Sequence, residues 1–199
     1  MFTRDSAQVV IAEVEDPARQ ISFRGCRMTI PGRPFFSRLV TWGAAGETIV
    51  VNDVTDFRLT VWRAGQRKLV VTRDVAAIEV TRAEALKSRA VREGYRIRWP
   101  GGGCQVTPEE LLDAMGFEDT VSPIGQIVVA PDGSFWVRHR AKLDDRWEID
   151  VFTSDGRYVG TLPSSARFPS AFLSSQRFVA LETSRDAVPI LVVYRIERR

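Results

Sequence analysis

The sequence predicts an all-β fold built from consecutive four-stranded antiparallel units, on three observations. First, one strand signature recurs: Leu59-Thr60-Val61-Trp62, Ile149-Asp150-Val151-Phe152 and Leu191-Val192-Val193-Tyr194 each read apolar residue, any residue, Val, aromatic. Second, each copy follows an earlier apolar strand, at 48–51, 135–137 and 178–181, with a fainter copy over 9–11 and 20–23. Third, Phe23 to Trp62 and Phe152 to Tyr194 each span roughly 40 residues, and Trp62 to Phe152 about twice that, the period at which four strands make one β-propeller blade. The predicted architecture is three to four β-propeller blades, a partial propeller, with a helical insertion between blades, in one domain over 1–199. In this reading the Val and the ring of each signature fill the seam with the neighbouring blade.

The elements follow in order. Residues 8–14 are mostly apolar and read as a strand. Asp16-Pro17-Ala18 turns the chain, because proline presets φ and the aspartate bonds its own backbone. Residues 19–24 alternate, and 28–30 read as a third strand. Pro31-Gly32-Arg33-Pro34 interrupts the run, since prolines cannot donate to a ladder. Residues 35–75 are the clearest unit, with strands at 37–42, 48–52, 57–63 and 68–73. Gly43 to Glu47 makes its first turn and Ala64-Gly65-Gln66 its last.

Residues 78–120 break the rhythm and are the predicted insertion. Thr81-Arg82-Ala83-Glu84 is a capping box, in which the threonine oxygen accepts from the amide three residues on while the glutamate reaches back. A helix is predicted from there to Glu93, stopped by Gly94. Thr107-Pro108-Glu109-Glu110 repeats the logic with proline at the first helical position. That helix runs through Leu111, Leu112 and Met115 to Gly116, and the stretch from Trp99 to Cys104 between the helices is loop.

The rhythm resumes over 123–163, with strands at 125–130, 134–140, 146–153 and 157–162. Pro131-Asp132-Gly133 and Ser154-Asp155-Gly156 are the turns. Residues 169–197 supply three more strands, at 170–173, 177–183 and 189–196.

Composition excludes some functions. The chain has 28 basic and 25 acidic residues among 199, a net charge of +3. That balance argues against nucleic acid as a partner. No apolar run has the length of a membrane span. The first six residues lack the charged and then apolar layout of a signal peptide, so the chain either stays inside the cell or is a piece of something longer. Whether Cys26 and Cys104 pair is open, because spacing along the chain does not fix proximity.

Few residues carry chemistry. His139 is the sole histidine, which removes multi-histidine metal sites and most Ser-His-Asp sites. It is expected at the surface or a blade edge. Gly101-Gly102-Gly103 lacks the helix and the Lys of a phosphate loop. Asp132 and Asp155 are expected to serve turn geometry. Trp42, Trp62, Trp136, Trp147, Phe152 and Tyr194 are expected to fill the space between sheets. Trp99, with Tyr95, Arg96 and Arg98 beside it on the inserted loop, is the best candidate recognition element, since aromatics and arginines anchor interfaces.

Residues 131–138, 147–152 and 155–163, with their Pro-Asp-Gly and Asp-Val-Phe turns, resemble the closing blades of bacterial six-bladed β-propeller proteins of the NHL-like type. Residues 178–182 and 193–196 resemble that family's last blade, and the resemblance covers 35–199. It implies the C-terminal part of a larger, exported propeller, in the periplasm or envelope. Six blades need nearly twice this length, so N-terminal blades are missing, two copies close as a homodimer, or the chain closes as a four-bladed ring. The expected function is a non-catalytic binding module for a protein or peptide, with no cofactor. The alternative is a channel-centred hydrolase or lyase using carboxylates and a divalent metal, with calcium held by Asp53, Asp144 and Asp145.

Overall fold

The computed structural model describes residues 11–13, 19–23, 29–94, 106–143, 146–163, 165–184 and 186–197. It is mostly β, in several antiparallel sheets. Strand β1 (Arg19–Ser22) pairs with β2 (Thr29–Gly32). The first large sheet follows, with β3 (Thr41–Ala45), β4 (Thr48–Asn52), β5 (Arg58–Arg63) and β6 (Gln66–Thr72) side by side in chain order. Next come β7 (Ile78–Glu79), helices α1 (Arg82–Lys87), α2 (Arg89–Gly94) and α3 (Pro108–Met115), and β8 (Thr120–Val121). The second large sheet is β9 (Ile124–Val129), β10 (Phe135–His139), β11 (Glu148–Phe152) and β12 (Tyr158–Leu162), again in order. The third is β13 (Ala171–Ser174), β14 (Arg177–Thr183) and β15 (Pro189–Arg195).

Local chemistry accounts for the turns. Between β5 and β6 the two loop residues Ala64 and Gly65 both have positive φ, 48° and 74°. Two such residues in a two-residue loop make the primed turn whose twist matches a right-handed hairpin. The β3–β4 turn is shorter than predicted and the strand before it lies later in the chain. Ala45 pairs with Thr48, leaving Gly46 and Glu47 as the loop. Gly43, Ala44 and Ala45 are weak strand formers, but tertiary contact holds them extended. A Cβ on Gly43 would lie 2.5 Å from the Ile127 carbonyl oxygen, so only glycine lets β3 run this close to β9.

Both predicted capping boxes form. The Glu84 amide donates to Thr81 Oγ1 (3.3 Å) and the Thr81 amide donates to the Glu84 carboxylate (2.9 Å). Thr107 and Glu110 repeat the arrangement at α3, which ends at Gly116 with φ 73°. The first helix is nevertheless split. Ser88 is extended (φ −63°, ψ 148°), its hydroxyl donates to the Ala85 carbonyl (2.7 Å), and it accepts from the Val91 amide (3.3 Å). A serine that bonds local backbone competes with helix continuation, and here it ends one helix and starts the next.

The insertion is tied at its base. Strands β7 and β8 pair Ile78 with Val121 and Glu79 with Thr120. Above them Ile78, Val80, Ala85, Val91, Leu112 and Leu143 form a separate apolar cluster. The N-terminal hairpin joins this region: Ile21 and Phe23 bury against Leu111 of α3, with Val106, Ala114 and Met115 alongside. Phe23 therefore lies in none of the large sheets, unlike Trp62 on β5. A two-stranded hairpin is too small to cover a four-stranded sheet, and the apolar face of α3 covers it instead. Of the predicted strand at 8–14 only 11–13 lie among the described residues, and they form no strand.

The three large sheets stack face to face. Val50, Leu59, Val61 and Val71 of the first pack against Ile127, Val129, Phe135, Val137 and Phe152 of the second. The opposite face of the second sheet, with Trp136, Ile149, Val151 and Leu162, packs on Phe172, Phe178, Ala180 and Tyr194 of the third. Two neighbouring residues of a strand point to opposite faces, so the middle sheet is buried on both. The same parity corrects the signature. Its Val and its ring cannot share a seam: Val61 and Val151 face the following sheet, whereas Phe152 and Tyr194 face the preceding one. The rings stack on cross-strand neighbours, Phe135 on Phe152 (centroids 5.0 Å apart) and Phe178 on Tyr194 (5.2 Å).

Candidate functional site

The seam between the first and second sheets holds a buried charged cluster. Asp150 lies two residues before Phe152 on β11, and His139 two after Val137 on β10, so strand alternation turns both toward the first sheet. Asp150 is completely buried and His139 is 4% exposed. One Asp150 oxygen accepts from Thr161 Oγ1 (2.6 Å), and Thr161 also bonds the Tyr158 hydroxyl (2.6 Å). The other oxygen accepts from the Arg73 guanidinium, which reaches across the seam from just beyond β6. His139 Nε2 lies 3.0 Å from that same oxygen and 3.8 Å from Glu148 Oε2.

Rings frame the cluster. The Arg73 guanidinium sits 4.4 Å from the Tyr158 ring centroid, and the His139 ring meets Phe57 edge-on at 5.5 Å. Burial by itself pushes the Asp150 carboxyl up; His139, Thr161 and Arg73 together outweigh it and hold the pKa below the ordinary aspartate value. The acid is thus held ionised and buried, with a donor on each oxygen. Such a group locks two sheets together.

Further ties cross the same seam. The Arg63 guanidinium donates to the Ser154 carbonyl. Gly156, at φ 82°, brings its turn so near the first sheet that a Cβ would meet Leu69 and Val71 at 2.8 Å. Buried Asn52 donates to the carbonyls of Asp56 and Arg58 (3.0 Å each) and accepts from Ser122 (3.1 Å), joining the β4–β5 loop to the base of the insertion.

The residues predicted for function are placed unevenly. Tyr95, Arg96, Arg98 and Trp99, the candidate recognition element, lie outside the described residues, as do Cys26, Cys104, Asp144, Asp145 and the triple glycine. Asp53 follows β4 and is partly buried. Among the described residues no three His, Cys, Asp or Glu side chains converge on a common point as metal ligands would. Asp132 and Asp155 serve their turns: Asp132 accepts from the Ser134 amide (3.0 Å) and hydroxyl (2.6 Å), and Asp155 from the Thr153 hydroxyl. That Thr153 bond holds the Asp155 carboxyl below its usual range.

Three expectations need correction. His139 is not at the surface, because it continues the inward row of Phe135 and Val137. Trp42 does not fill a seam; it is 63% exposed, on the outward face of the first sheet, where no described residue forms a covering sheet. Trp147 fills no seam either. The guanidinium groups of Arg138 and Arg140 lie over its ring, 5.0 and 4.5 Å from the centroid. Gly125 makes room, since a Cβ there would strike the indole at 2.3 Å. Trp136 and Phe152 do fill seams, and Tyr194 packs at one half-buried.

Sequence reading missed Arg73 and Asp150. Their signal was an aspartate at the free position of the signature, on a face that the alternation makes inward. Among the described residues no helix is long and apolar enough to cross a membrane. Compared with protein-family models and with curated proteins, the chain finds no match.

Proposed function

We propose that this chain is a run of consecutive β-propeller-type blades, of the six-bladed NHL-like kind, that works as a non-catalytic binding module for a protein or peptide. The observation that supports it is the closed state of the buried Arg73, Asp150 and His139 cluster. Its acid is spent on holding two sheets in register, and a stack held this way is a rigid platform for loops. Binding residues concentrate on loops carried by such scaffolds. The inserted segment rising from the β7–β8 ladder supplies them, with Tyr95, Arg96, Arg98 and Trp99 as the contact residues and no cofactor required.

The test is affinity capture with the full chain against a variant lacking 94–105, and against the triple substitution Arg96→Ala, Arg98→Ala, Trp99→Ala. A binding module of this kind loses a specific protein or peptide in both. If every captured molecule is retained by both variants, the inserted loop is not the binding site and the reading fails.

A further inference from the structure

The second sheet carries a positive charge that the described residues leave unneutralised. Arg138 lies on β10, two residues after Trp136 and directly opposite Ile149 of β11. On its other side the register places the exposed Gln126 of β9 opposite it. The Trp147 ring lies under the guanidinium groups of both Arg138 and Arg140. That ring is seated against Gly125, where a Cβ would collide with it at 2.3 Å. Arg140 is engaged, since its guanidinium donates to the Leu143 carbonyl. Arg138 is not. Among the described residues no carboxylate pairs with it and no oxygen accepts from it; its partner is the Trp147 ring. Arg73, Arg82 and Arg167, by contrast, each meet an acid. An exposed arginine needs no counter-charge, because water solvates it. Arg138 is half-buried, and burial alone pushes its pKa below the ordinary arginine value. It has lost part of its water without gaining an acid. Its nitrogens are still not sealed, so an incoming group can reach them.

We propose that Arg138, held over Trp147 with Arg140 beside it, is a binding site for a carboxylate of an acidic peptide. The planar guanidinium fork matches a carboxylate through two parallel N–H···O bonds. In a partly dry setting such bonds are stronger than on a fully wetted surface. The Gln126 amide, opposite Arg138, is a further donor for the same group. The indole holds the fork in place before the ligand arrives, so less freedom is lost on binding. Its ring also offers apolar surface to the stem of a glutamate. A carboxylate fits better than a phosphate, because Arg138 presents one uncommitted fork while Arg140 is already spent in part on Leu143. Two guanidinium groups gathered at one ring repel each other, and one bound carboxylate relieves that. The site is a second contact surface for the binding module proposed above, and it takes from that reading only that the partner is a peptide.

The experiment titrates fluorescently labelled hexaglutamate with the full chain and reads anisotropy, in about 0.15 M salt so that diffuse charge attraction is screened. Hexaglutamate should bind, and hexaglutamine, the uncharged control, should not. Arg138→Gln should weaken binding by about tenfold or more, the loss of one charge-assisted pair. Arg138→Lys should recover only part of it, because a point charge does not replace the fork. Arg67→Gln removes the same charge from an exposed position on β6 and should leave binding unchanged. Circular dichroism checks each fold, and Arg138→Met, which keeps the apolar stem, replaces Arg138→Gln if that variant does not fold. In the parent chain the Arg138 Nε–H proton resonance should move as the peptide is added. Absent binding, equal losses in the Arg138 and Arg67 variants, or an Arg138 resonance that stays in place overturns the proposal. So does displacement of the peptide by inorganic phosphate, but not by acetate at the same ionic strength, which would make this a phosphate site. Any of these failures leaves the inserted-loop proposal standing, since the capture assay decides that one with variants that keep Arg138.

Discussion

Arg73, at the end of the first large sheet, donates to Asp150 at the centre of the second, so an ion pair crosses the seam with its acid wholly buried and its base 28% exposed. Around it lie the packed rows of Val50, Leu59 and Val61 against Phe135, Val137 and Phe152. Apolar packing supplies most of the adhesion. The pair supplies register, because an unpaired buried charge is costly.

Arg73→Ala should therefore destabilise the fold by about 3 kcal/mol, the cost of leaving a buried carboxylate unpaired. Asp150→Asn should cost less, since a neutral amide can still accept from Thr161. The double change to Arg73→Met and Asp150→Leu should recover part of the loss. Urea unfolding measures all three, and an Arg73→Ala protein as stable as the parent would show that the pair does not lock the seam.

The depressed pKa of Asp150 has a defined sign. A carboxyl whose folded value lies below its unfolded value of about 4 gives its full stabilisation above that unfolded value. The contribution drains away as the pH falls through the lower folded value. The melting temperature should drop on acidification below about pH 4, and Asp150→Asn should flatten that part of the profile. An unchanged acid limb in the variant would assign the drop to other carboxylates.

Gly43→Val should be strongly destabilising, by about 1–3 kcal/mol or more, as expected of overpacking. The new Cβ meets backbone, the Ile127 carbonyl at 2.5 Å, which cannot swing aside. Gly125→Ala meets the Trp147 ring instead, a side chain that can turn, and should cost less. Thermal melts of the two variants give the order; the reverse order would mean that β3 and β9 do not run this close.

Phe152→Ala removes a fully buried ring from the seam and should cost about 3–5 kcal/mol. Val159→Thr, at a residue 62% exposed on β12, should stay within about 0.5 kcal/mol. Equal effects at the two sites, read by urea midpoints, would place the apolar core elsewhere.

Much of this fold is legible in the sequence. Alternation and turn residues locate the strands of the three large sheets except β3, because a half-buried strand must alternate and a tight turn favours Gly, Pro or Asp. The capping boxes mark the helix starts for the same local reason. What escapes is tertiary. Gly43 looks like turn material until β9 is seen beside it. Ser88 looks helical until its hydroxyl is seen bonding backbone on both sides. Trp42 looks like core until it is found 63% exposed. The Arg73 and Asp150 pair joins residues far apart in sequence, which no local pattern records. The candidate site is legible only as residue types on an inserted loop, since 95–105 lie outside the described residues.

The alternating use of the signature is tested most directly by contacts between methyl and ring protons in the folded chain, measured by nuclear Overhauser effects. Val61 methyls should see the Phe135 or Phe152 rings, and Val151 methyls the Phe178 or Tyr194 rings. Val61 and Val151 both contacting one common set of rings, or neither contacting any, would contradict the stacked-sheet arrangement.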